Sequence, residues 1–138
     1  MTARLLLVDD DPDILQTLAL CLSTKGYRVL MASNGKEALD VLGREKPACI
    51  LLDLMMPVMD GWQFVAELES RGWRKAPLLI LSADRAVQGH ATRLHADAFL
   101  AKPFDLDDLM DAVKTAARNA GSRRHVSPDP PPGTWRAA

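Results

Sequence analysis

The sequence of 138 residues has few cysteines, almost no net charge and no long apolar run. A formal net charge of −1 argues against bulk attraction to nucleic acid or to an anionic membrane, so we expect no direct binding to either. No apolar run approaches the roughly 20 residues that span a bilayer, and the first residues do not resemble a signal peptide. We interpret Cys21 and Cys49, which lie in apolar segments, as buried free thiols of a cytoplasmic protein.

The composition otherwise is typical of a soluble globular domain, with 48% hydrophobic and 25% charged residues. The histidines His90, His95 and His125 have no metal-ligand spacing, and we interpret them as surface residues. From Gly121 onward the chain is rich in proline and polar residues, which bury too little apolar area to offset the entropy of ordering. We therefore predict one domain over residues 1–120 and a disordered tail over residues 121–138.

A buried strand that ends on an acid is the central feature of the sequence. The apolar run from Cys49 to Leu52 stops at Asp53, and Pro57 then prevents the strand from continuing. A short continuous apolar run of this kind is typical of a strand buried on both faces, as in a parallel sheet. Open α/β sheets bind their ligands at the carboxyl ends of the strands, which is where Asp53 is placed.

The rest of the chain repeats the order of strand and then helix five times. The apolar runs that predict the other four strands are residues 4–9, 27–32, 77–82 and 98–101. Helical spacing follows each run, and Asp11, Asn34 and Asp105 stand where a helix would be capped; for Asn34 we expect a capping box with Glu37. Alternating strands and helices predict parallel pairing, so the expected fold is an α/β doubly wound sheet with helices on both faces.

Chemically useful side chains stand at the ends of four predicted strands. The first strand ends at Asp9 and Asp10, the third at Asp53, the fourth at Ser82, and the fifth just before Lys102. These ends share one edge of a parallel sheet. Three close carboxylates repel one another unless a cation lies among them, and ligands that are all oxygen favour magnesium. A hydroxyl and an ammonium beside a metal suit phosphate oxygens, so the sequence predicts a magnesium-dependent phosphoryl site with Asp53 as nucleophile.

The pattern resembles the receiver domain of two-component response regulators, and most closely a stand-alone, chemotaxis-regulator-like form. The resemblance spans roughly residues 4–119 and is carried by four segments in order: Val8-Asp9-Asp10, Leu52-Asp53-Leu-Met-Met-Pro57 with Asp60-Gly61, Leu81-Ser82-Ala83, and Lys102-Pro103-Phe104. It implies a flavodoxin-like five-stranded parallel sheet in the order 2-1-3-4-5 with five helices.

The resemblance also implies the role of each carboxylate. Asp53 would accept a phosphoryl group from a sensor histidine kinase or a histidine phosphotransfer protein. Asp10 and Asp53 would bind Mg²⁺ directly, Asp9 would bind it largely through water, and the backbone carbonyl of Met55 would be a further ligand. Such a domain promotes its own phosphorylation and dephosphorylation but is not otherwise an enzyme.

The remaining roles fall on residues nearer the carboxyl end of the chain. The resemblance implies that Ser82 hydrogen-bonds the phosphoryl group, that Lys102 pairs with it, and that Phe99 is the switch aromatic. A downstream protein would bind the face formed by the fourth helix, fifth strand and fifth helix. Two departures concern this face: His95 stands where the family usually has glycine at a positive φ, and the interval from Ser82 to Lys102 is shorter than usual. We therefore expect a trimmed fourth helix or a trimmed loop before it.

Three functions are compatible with the sequence. The first is a single-domain response regulator of a phosphorelay that signals through protein contacts. The second is a receiver domain that forms part of a longer regulator with an output domain. The third is a magnesium-dependent phosphatase with an aspartyl-phosphate intermediate, but such enzymes commonly have a second acid two residues after the nucleophile, where this chain has Met55.

Overall fold

Five β-strands alternate with five α-helices in the computed structural model, which describes residues 3–125. Their bounds are β1 Arg4–Val8, α1 Pro12–Thr24, β2 Arg28–Ala32, α2 Gly35–Leu42, β3 Cys49–Asp53, α3 Gly61–Ser70, β4 Leu78–Ser82, α4 Val87–Arg93, β5 Ala98–Ala101 and α5 Leu106–His125. The strands form one five-stranded sheet in the order β2-β1-β3-β4-β5. The predicted flavodoxin-like α/β fold, with its strand order and five helices, is confirmed.

The central strands are apolar because both of their faces are covered. Every residue of β3 and of β4 is buried, and β1 is buried from Leu5 onward. Strand β1 pairs in parallel with β2 on one side and with β3 on the other, and Val8 is opposite Ala32 in one ladder and Leu52 in the other. Continuous apolar runs are what such doubly covered strands require.

Side-chain caps fix where four helices begin. The Asp11 carboxylate accepts hydrogen bonds from the amides of Asp13 and Ile14, which confirms it as the cap of α1. Asn34 caps α2 by accepting from the Glu37 amide, but the Glu37 carboxylate turns back to Ser33, so the predicted box is only half formed. The complete capping box lies at the start of α3, and Asp105 accepts from the Asp108 amide at the start of α5.

The chain divides into two compact units after Ala76. The first contains β1 to α3, and its largest fully buried side chains are Leu5, Leu6, Leu7, Leu22, Ile50, Leu51, Leu52, Leu54, Phe64 and Leu68. The second contains β4 to α5, and its fully buried side chains include Leu78, Leu79, Ile80, Leu81 and Leu109. Each unit therefore has strands and helices that cover an apolar interior of their own.

Helix α5 extends beyond the domain boundary that the sequence suggested. It runs for 20 residues to His125, whereas we placed the start of the tail at Gly121. Residues 126–138 lie outside the described part of the chain, so the tail itself stays a prediction. Neither Cys21, which is half-buried, nor Cys49, which is buried, forms a disulfide. Among residues 3–125, no helix is both long and apolar enough to cross a bilayer.

Candidate functional site

Three carboxylates meet where β1 and β3 end. The register sets Val8 opposite Leu52, so Asp9 and Asp53 follow neighbouring positions at the carboxyl ends of two paired strands. Asp9, Asp10 and Asp53 each offer an oxygen, and the three oxygens lie within 4.8 Å of one another. Asp9 is 1% exposed and Asp53 is 7% exposed, while Asp10 is open to solvent. The predicted convergence of these three side chains is therefore confirmed as geometry.

Backbone amides orient the two buried carboxylates. Asp9 Oδ1 accepts a hydrogen bond from the Asp11 amide at 3.0 Å, and Asp53 Oδ1 accepts one from the Met55 amide at 3.3 Å. The Asp9 amide in turn donates to the Ala32 carbonyl of β2 at 3.1 Å. Each carboxylate is thus held by the first turn of the loop that follows its own strand.

This donor set fits a hard divalent cation. Grouping three carboxylates within a few ångströms, with two of them buried, is unfavourable unless positive charge is close by. The set contains only oxygen, which favours a hard cation over the softer metals that prefer sulfur and imidazole. The Met55 side chain is 71% exposed, and its amide is the group that contacts Asp53. That the Met55 carbonyl faces the cluster stays a prediction.

The loop from β3 to α3 returns to the strand through glycine. The Gly61 amide donates to the Leu54 carbonyl at 2.9 Å. A Cβ on Gly61 would lie 2.7 Å from the Leu54 Cα and 2.9 Å from the Asp53 carbonyl oxygen, which is closer than real Cβ atoms approach. Gly35 closes the loop from the other side, since its amide donates to the Met59 carbonyl at 2.9 Å. Any side chain at Gly61 would therefore displace the backbone that carries Asp53.

One residue of this loop is strained, and no sequence pattern singled it out. Val58 has a φ of 66° and is 76% exposed. The Met59 amide donates to the Pro57 carbonyl at 2.7 Å across it, which closes a tight three-residue turn. A β-branched residue in the left-handed region is a genuine outlier. The only sequence feature that indicates a turn here is Pro57, which lies three residues before Asp60-Gly61.

In the second unit, Ser82 and Lys102 lie at the carboxyl ends of two adjacent strands, β4 and β5. Ser82, at the end of β4, is paired with Ala101, at the end of β5, and its side chain is buried. The Lys102 amide donates to the Ser82 carbonyl at 2.8 Å, so the lysine directly follows this last pair. The hydroxyl and the ammonium predicted to hold phosphate thus belong to adjacent strand ends. Their contact with Asp53 stays a prediction.

A series of hydrogen bonds links Ser82 to helix α4. Ser82 Oγ accepts from the Asp84 amide at 3.1 Å, Asp84 Oδ1 accepts from the Ala86 amide at 2.8 Å, and Asp84 Oδ2 lies 3.0 Å from His90 Nε2. The Ala86 amide first, and the His90 side chain second, lower the pKa of Asp84. His90 has a side chain that is only 18% exposed. Our interpretation of it as a plain surface residue missed this contact, for which a separation of six residues gives no sequence signal.

The remaining predicted positions of this unit lie on β5 and just before it. Phe99 is half-buried on β5, and its role as a switch stays a prediction. His95 has a φ of 54°, which confirms that it occupies a position where glycine would be unstrained. Asp97 is fully buried and accepts from the Leu78 amide at 2.8 Å, which ties the starts of β4 and β5 together. We assigned Asp97 no role from the sequence.

The fold and the carboxylate cluster define a flavodoxin-like protein with an acidic site at the carboxyl edge of its sheet. Residues 5–114 match the family described as the response regulator receiver domain. This match covers most of the chain, so the chain belongs to the receiver domain family of response regulators.

Curated relatives agree with this assignment. The response regulator MprA of Mycolicibacterium vanbaalenii is 38% identical over 120 residues, which is 86% of this chain and 52% of that protein. MprA of Mycobacterium tuberculosis is 37% identical over 120 residues, again 86% of this chain and 52% of the relative. The chain therefore spans about half the length of these curated relatives.

Solved structures show the same fold. The chemotaxis response regulator CheY4 of Vibrio cholerae superposes with a TM-score of 0.77 and 29% identity, covering 84% of this chain and 99% of that one. The response regulator TrrA of Thermotoga maritima, described as a complex with Mg²⁺ and BeF, gives a TM-score of 0.74 and 30% identity, with coverage of 84% and 99%.

Proposed function

We propose that this chain is a magnesium-dependent phosphoacceptor whose Asp53 receives a phosphoryl group from a histidine kinase or a histidine phosphotransfer protein. One observation carries the proposal: two buried carboxylates and an exposed one offer oxygens within 4.8 Å of one another at the end of two paired strands. Membership of the receiver domain family supports the same role. We place the protein in the cytoplasm and its domain at residues 1–125, which extends the predicted 1–120 to the end of α5, with residues 126–138 as a tail.

The proposed transfer is a displacement at phosphorus. An oxygen of the Asp53 carboxylate attacks the phosphorus of a phosphohistidine, the P–N bond breaks, and an acyl phosphate forms while the histidine nitrogen recovers its electron pair. The Met55 amide donates to one oxygen of Asp53 and so helps to fix the orientation of the attacking carboxylate. Water later attacks the acyl phosphate, which restores the carboxylate and releases inorganic phosphate.

Asp9, Asp10, Asp53 and the Met55 carbonyl would hold Mg²⁺. When bound, Mg²⁺ neutralises the carboxylates and the negative charge that the phosphoryl oxygens bring. Asp9 and Asp53 are pre-positioned for this by amide hydrogen bonds, so little reorganisation is needed when the cation arrives. Asp10 is exposed, so the cation would reach the three carboxylates from the side of Asp10.

We further propose that Ser82 donates a hydrogen bond to a phosphoryl oxygen and that Lys102 pairs with another. Ser82 belongs to the last residue pair of β4 and β5 and Lys102 directly follows that pair, so the two groups lie on adjacent strand ends of their own unit. Phe99 would respond to this by repacking on β5, and a downstream protein would then bind the face of α4, β5 and α5. The signal would pass through protein contacts.

Phosphoryl uptake tests the proposal directly. The intact mass of the full chain is measured after incubation with acetyl phosphate, with MgCl₂ or with EDTA. We expect one added phosphoryl group in the presence of magnesium and none in EDTA. Asp53→Asn should abolish uptake, whereas Asp13→Asn, which changes an exposed aspartate of the first turn of α1, should leave it intact. Uptake by the Asp53→Asn protein, or none by the parent chain, would refute the proposal.

A second candidate is that the receiver acts as one part of a longer regulator with an output domain. The observation that favours it is the coverage of 52% of the MprA proteins, which are longer than this chain. Reading the complete open reading frame from genomic DNA distinguishes the two forms. A stop codon directly after Ala138, confirmed by the mass of the protein isolated from cells, would support the single-domain form.

A further inference from the structure

Strand β2 forms an open edge of the sheet. It is the outermost strand in the order β2-β1-β3-β4-β5, and within residues 3–125 it pairs with β1 alone. The Arg28 amide and the Ala32 carbonyl bond to backbone groups just before and just after β1, so both residues face that strand. Because the hydrogen-bonding groups of a strand alternate between its two sides, Val29 and Met31 direct their amides and carbonyls outward.

The two ends of this edge are covered by the chain itself. The Tyr27 amide donates to a carbonyl of α1 at 3.2 Å, and the Ser33 amide donates to Glu37 Oε1 at 3.0 Å. Between these ends, Arg28 is the one charged residue in the sequence, and there is no proline. Charge and proline are the usual protection of an exposed edge strand. The open part of the edge is therefore residues 29–31.

Exposed apolar side chains lie along this edge. Met31 is 49% exposed and Leu20 of α1 is 70% exposed, whereas β5, the other edge strand in the described part of the chain, has no exposed large hydrophobic side chain. Met31 lines a cleft together with Gln16, and Leu20 lies one turn further along the same face of α1. A helix that connects two parallel strands runs opposite to them, so Leu20 lies near the level of Val29.

We propose that this chain forms a weak homodimer in which the β2 strands of two copies pair antiparallel across a two-fold axis at Leu30. This register sets Val29 of one copy opposite Met31 of the other, and each such pair exchanges both of its N–H···O bonds. The axis is perpendicular to the sheet, so the two α1 helices lie on the same face. Leu20 of one copy then faces the cleft beside Met31 of the second copy.

The charges at the ends of the edge agree with a second copy as the partner. Arg28 begins β2, and the Glu37 carboxylate is held against the Ser33 backbone just after β2 ends; both charged side chains are exposed. Antiparallel pairing places the start of one strand beside the end of the other, so Arg28 of each copy approaches Glu37 of the second copy. Parallel pairing would place like charges side by side, which is unfavourable.

The contact is small, so the dimer should dissociate on dilution. A short strand pair with one apolar side chain from each helix lies below the roughly 1,200 Å² at which stable interfaces begin. We therefore expect a dissociation constant of about 100 μM. The inference does not rest on the proposed function, because the interface contains no residue of the carboxylate cluster.

Sedimentation velocity of the full chain between about 5 and 500 μM tests the proposal. The parent chain should shift toward the mass of two chains as the concentration rises. Met31→Lys places a charge in the open edge, and because the two-fold axis repeats each pair, it should weaken the dimer about tenfold. Met55→Lys makes the same change at an exposed methionine of the β3–α3 loop and should dimerise like the parent. A parent chain that stays monomeric, or a Met31→Lys protein that dimerises equally well, would overturn the proposal.

Charge reversal tests the register. Arg28→Glu and Glu37→Arg should each weaken the dimer about threefold, since exposed ion pairs contribute little. The variant that carries both substitutions restores opposite charges and should recover most of the loss. A double variant that is weaker than either single variant would overturn the antiparallel register.

Hydrogen exchange identifies what covers the edge. The Val29 and Met31 amides should exchange more slowly as the concentration of the chain rises, whereas the Leu30 amide, which faces β1, should exchange at a constant rate. Protection of Val29 and Met31 that is already complete at about 5 μM would mean that a segment of the same chain covers the edge. That result, or the absence of protection at every concentration, would overturn the proposal.

Discussion

The loops after β3 and after β4 begin alike and are held in different ways. Both follow a strand of five buried residues that ends in an oxygen-bearing side chain, Asp53 in one case and Ser82 in the other. After β3, contacts between backbones close the loop, with Gly61 donating to Leu54 and Gly35 donating to Met59. After β4, the Asp84 carboxylate joins the loop to α4.

This difference matches the role that we propose for each position. A carboxylate that holds a metal ion and receives a phosphoryl group needs a fixed direction, and backbone contacts with no room for a side chain supply it. A loop that is proposed to respond to phosphorylation needs more than one accessible arrangement, and the hydrogen bonds of the exposed Asp84 carboxylate can exchange with water at little cost. Side-chain contacts also titrate, whereas backbone contacts do not.

The largest expected effect comes from comparing two glycines: Gly61, where α3 begins, and Gly89, which lies within α4. Gly61→Ala places a Cβ 2.7 Å from the Leu54 Cα, so the backbone at Asp53 must move, and we expect a loss of about 2–3 kcal/mol in the free energy of unfolding. Gly89, within α4, has open space where a Cβ would lie, with no neighbouring atom within 4 Å, so Gly89→Ala should stabilise the protein by about 0.5–1 kcal/mol. Urea denaturation of both variants measures the difference.

Phosphoryl uptake sharpens this first test. Gly61→Ala should also take up phosphoryl groups more slowly at a temperature where it is still folded, because Asp53 is displaced. Gly89→Ala should take them up at the rate of the parent chain. If both alanine variants were equally stable, the β3–α3 loop would not be the fixed region that we describe.

Buried carboxylates give the second comparison and a somewhat smaller effect. Asp9 and Asp53 belong to a cluster, whereas Asp97 is fully buried and accepts from the Leu78 amide at 2.8 Å. Asp97→Ala leaves that amide without its acceptor, and we expect a loss of about 2 kcal/mol in the free energy of unfolding. Asp97→Asn keeps an acceptor oxygen and should lose less. Magnesium should not alter either difference, and a magnesium-dependent effect would mean that Asp97 contributes to the metal site.

The strained turn at Val58 yields a third and smaller effect, of opposite sign. Val58→Gly removes the steric cost of a φ of 66°, and after the entropy cost of glycine we expect a gain of about 1 kcal/mol. Val58→Ala, which keeps a Cβ, serves as the control and should gain less. Thermal denaturation of the two variants measures this order. Equal stability of all three proteins would show that the β3–α3 loop relaxes at no cost, contrary to its description as fixed.

Most of the fold could be predicted from the sequence because the pattern of apolar runs is strong. The five strands begin and end within about a residue of their expected positions, and Asp11 and Asp105 cap helices as expected. The end of α5 was missed, since proline begins only at Pro128 while the polar residues before it are compatible with a helix. Composition alone does not separate a polar helical end from a tail.

The candidate site could be predicted only where the strand ends determine it. The register of β1 and β3 is enough to place Asp9 beside Asp53. In contrast, the pair of Asp84 and His90 depends on how a short helix leaves its loop, and the positive φ of Val58 depends on how the loop returns to Leu54. Such contacts arise from tertiary closure, which leaves no periodic signal in the sequence.

The smallest expected effect concerns the loop between β2 and α2, where a backbone amide and a side chain act on one carboxylate. Glu37 accepts from the Ser33 amide at 3.0 Å and from the Ser33 hydroxyl at 2.8 Å. The amide first, and the hydroxyl second, lower the pKa of Glu37 below its ordinary value of 4.5. The ionised form therefore stabilises the fold above that ordinary value, and this contribution disappears as the pH falls through the lowered pKa of the folded state.

Ser33→Ala separates the two contributions, because it removes the hydroxyl and keeps the amide. We expect the pKa of Glu37, measured by carboxyl carbon NMR, to rise part of the way toward 4.5. Ser70→Ala, which changes an exposed serine at the end of α3, is the matched control and should leave it unchanged. A pKa of Glu37 that is unaffected by Ser33→Ala would mean that the amide alone is responsible, and backbone contacts would then dominate in this loop as they do after β3.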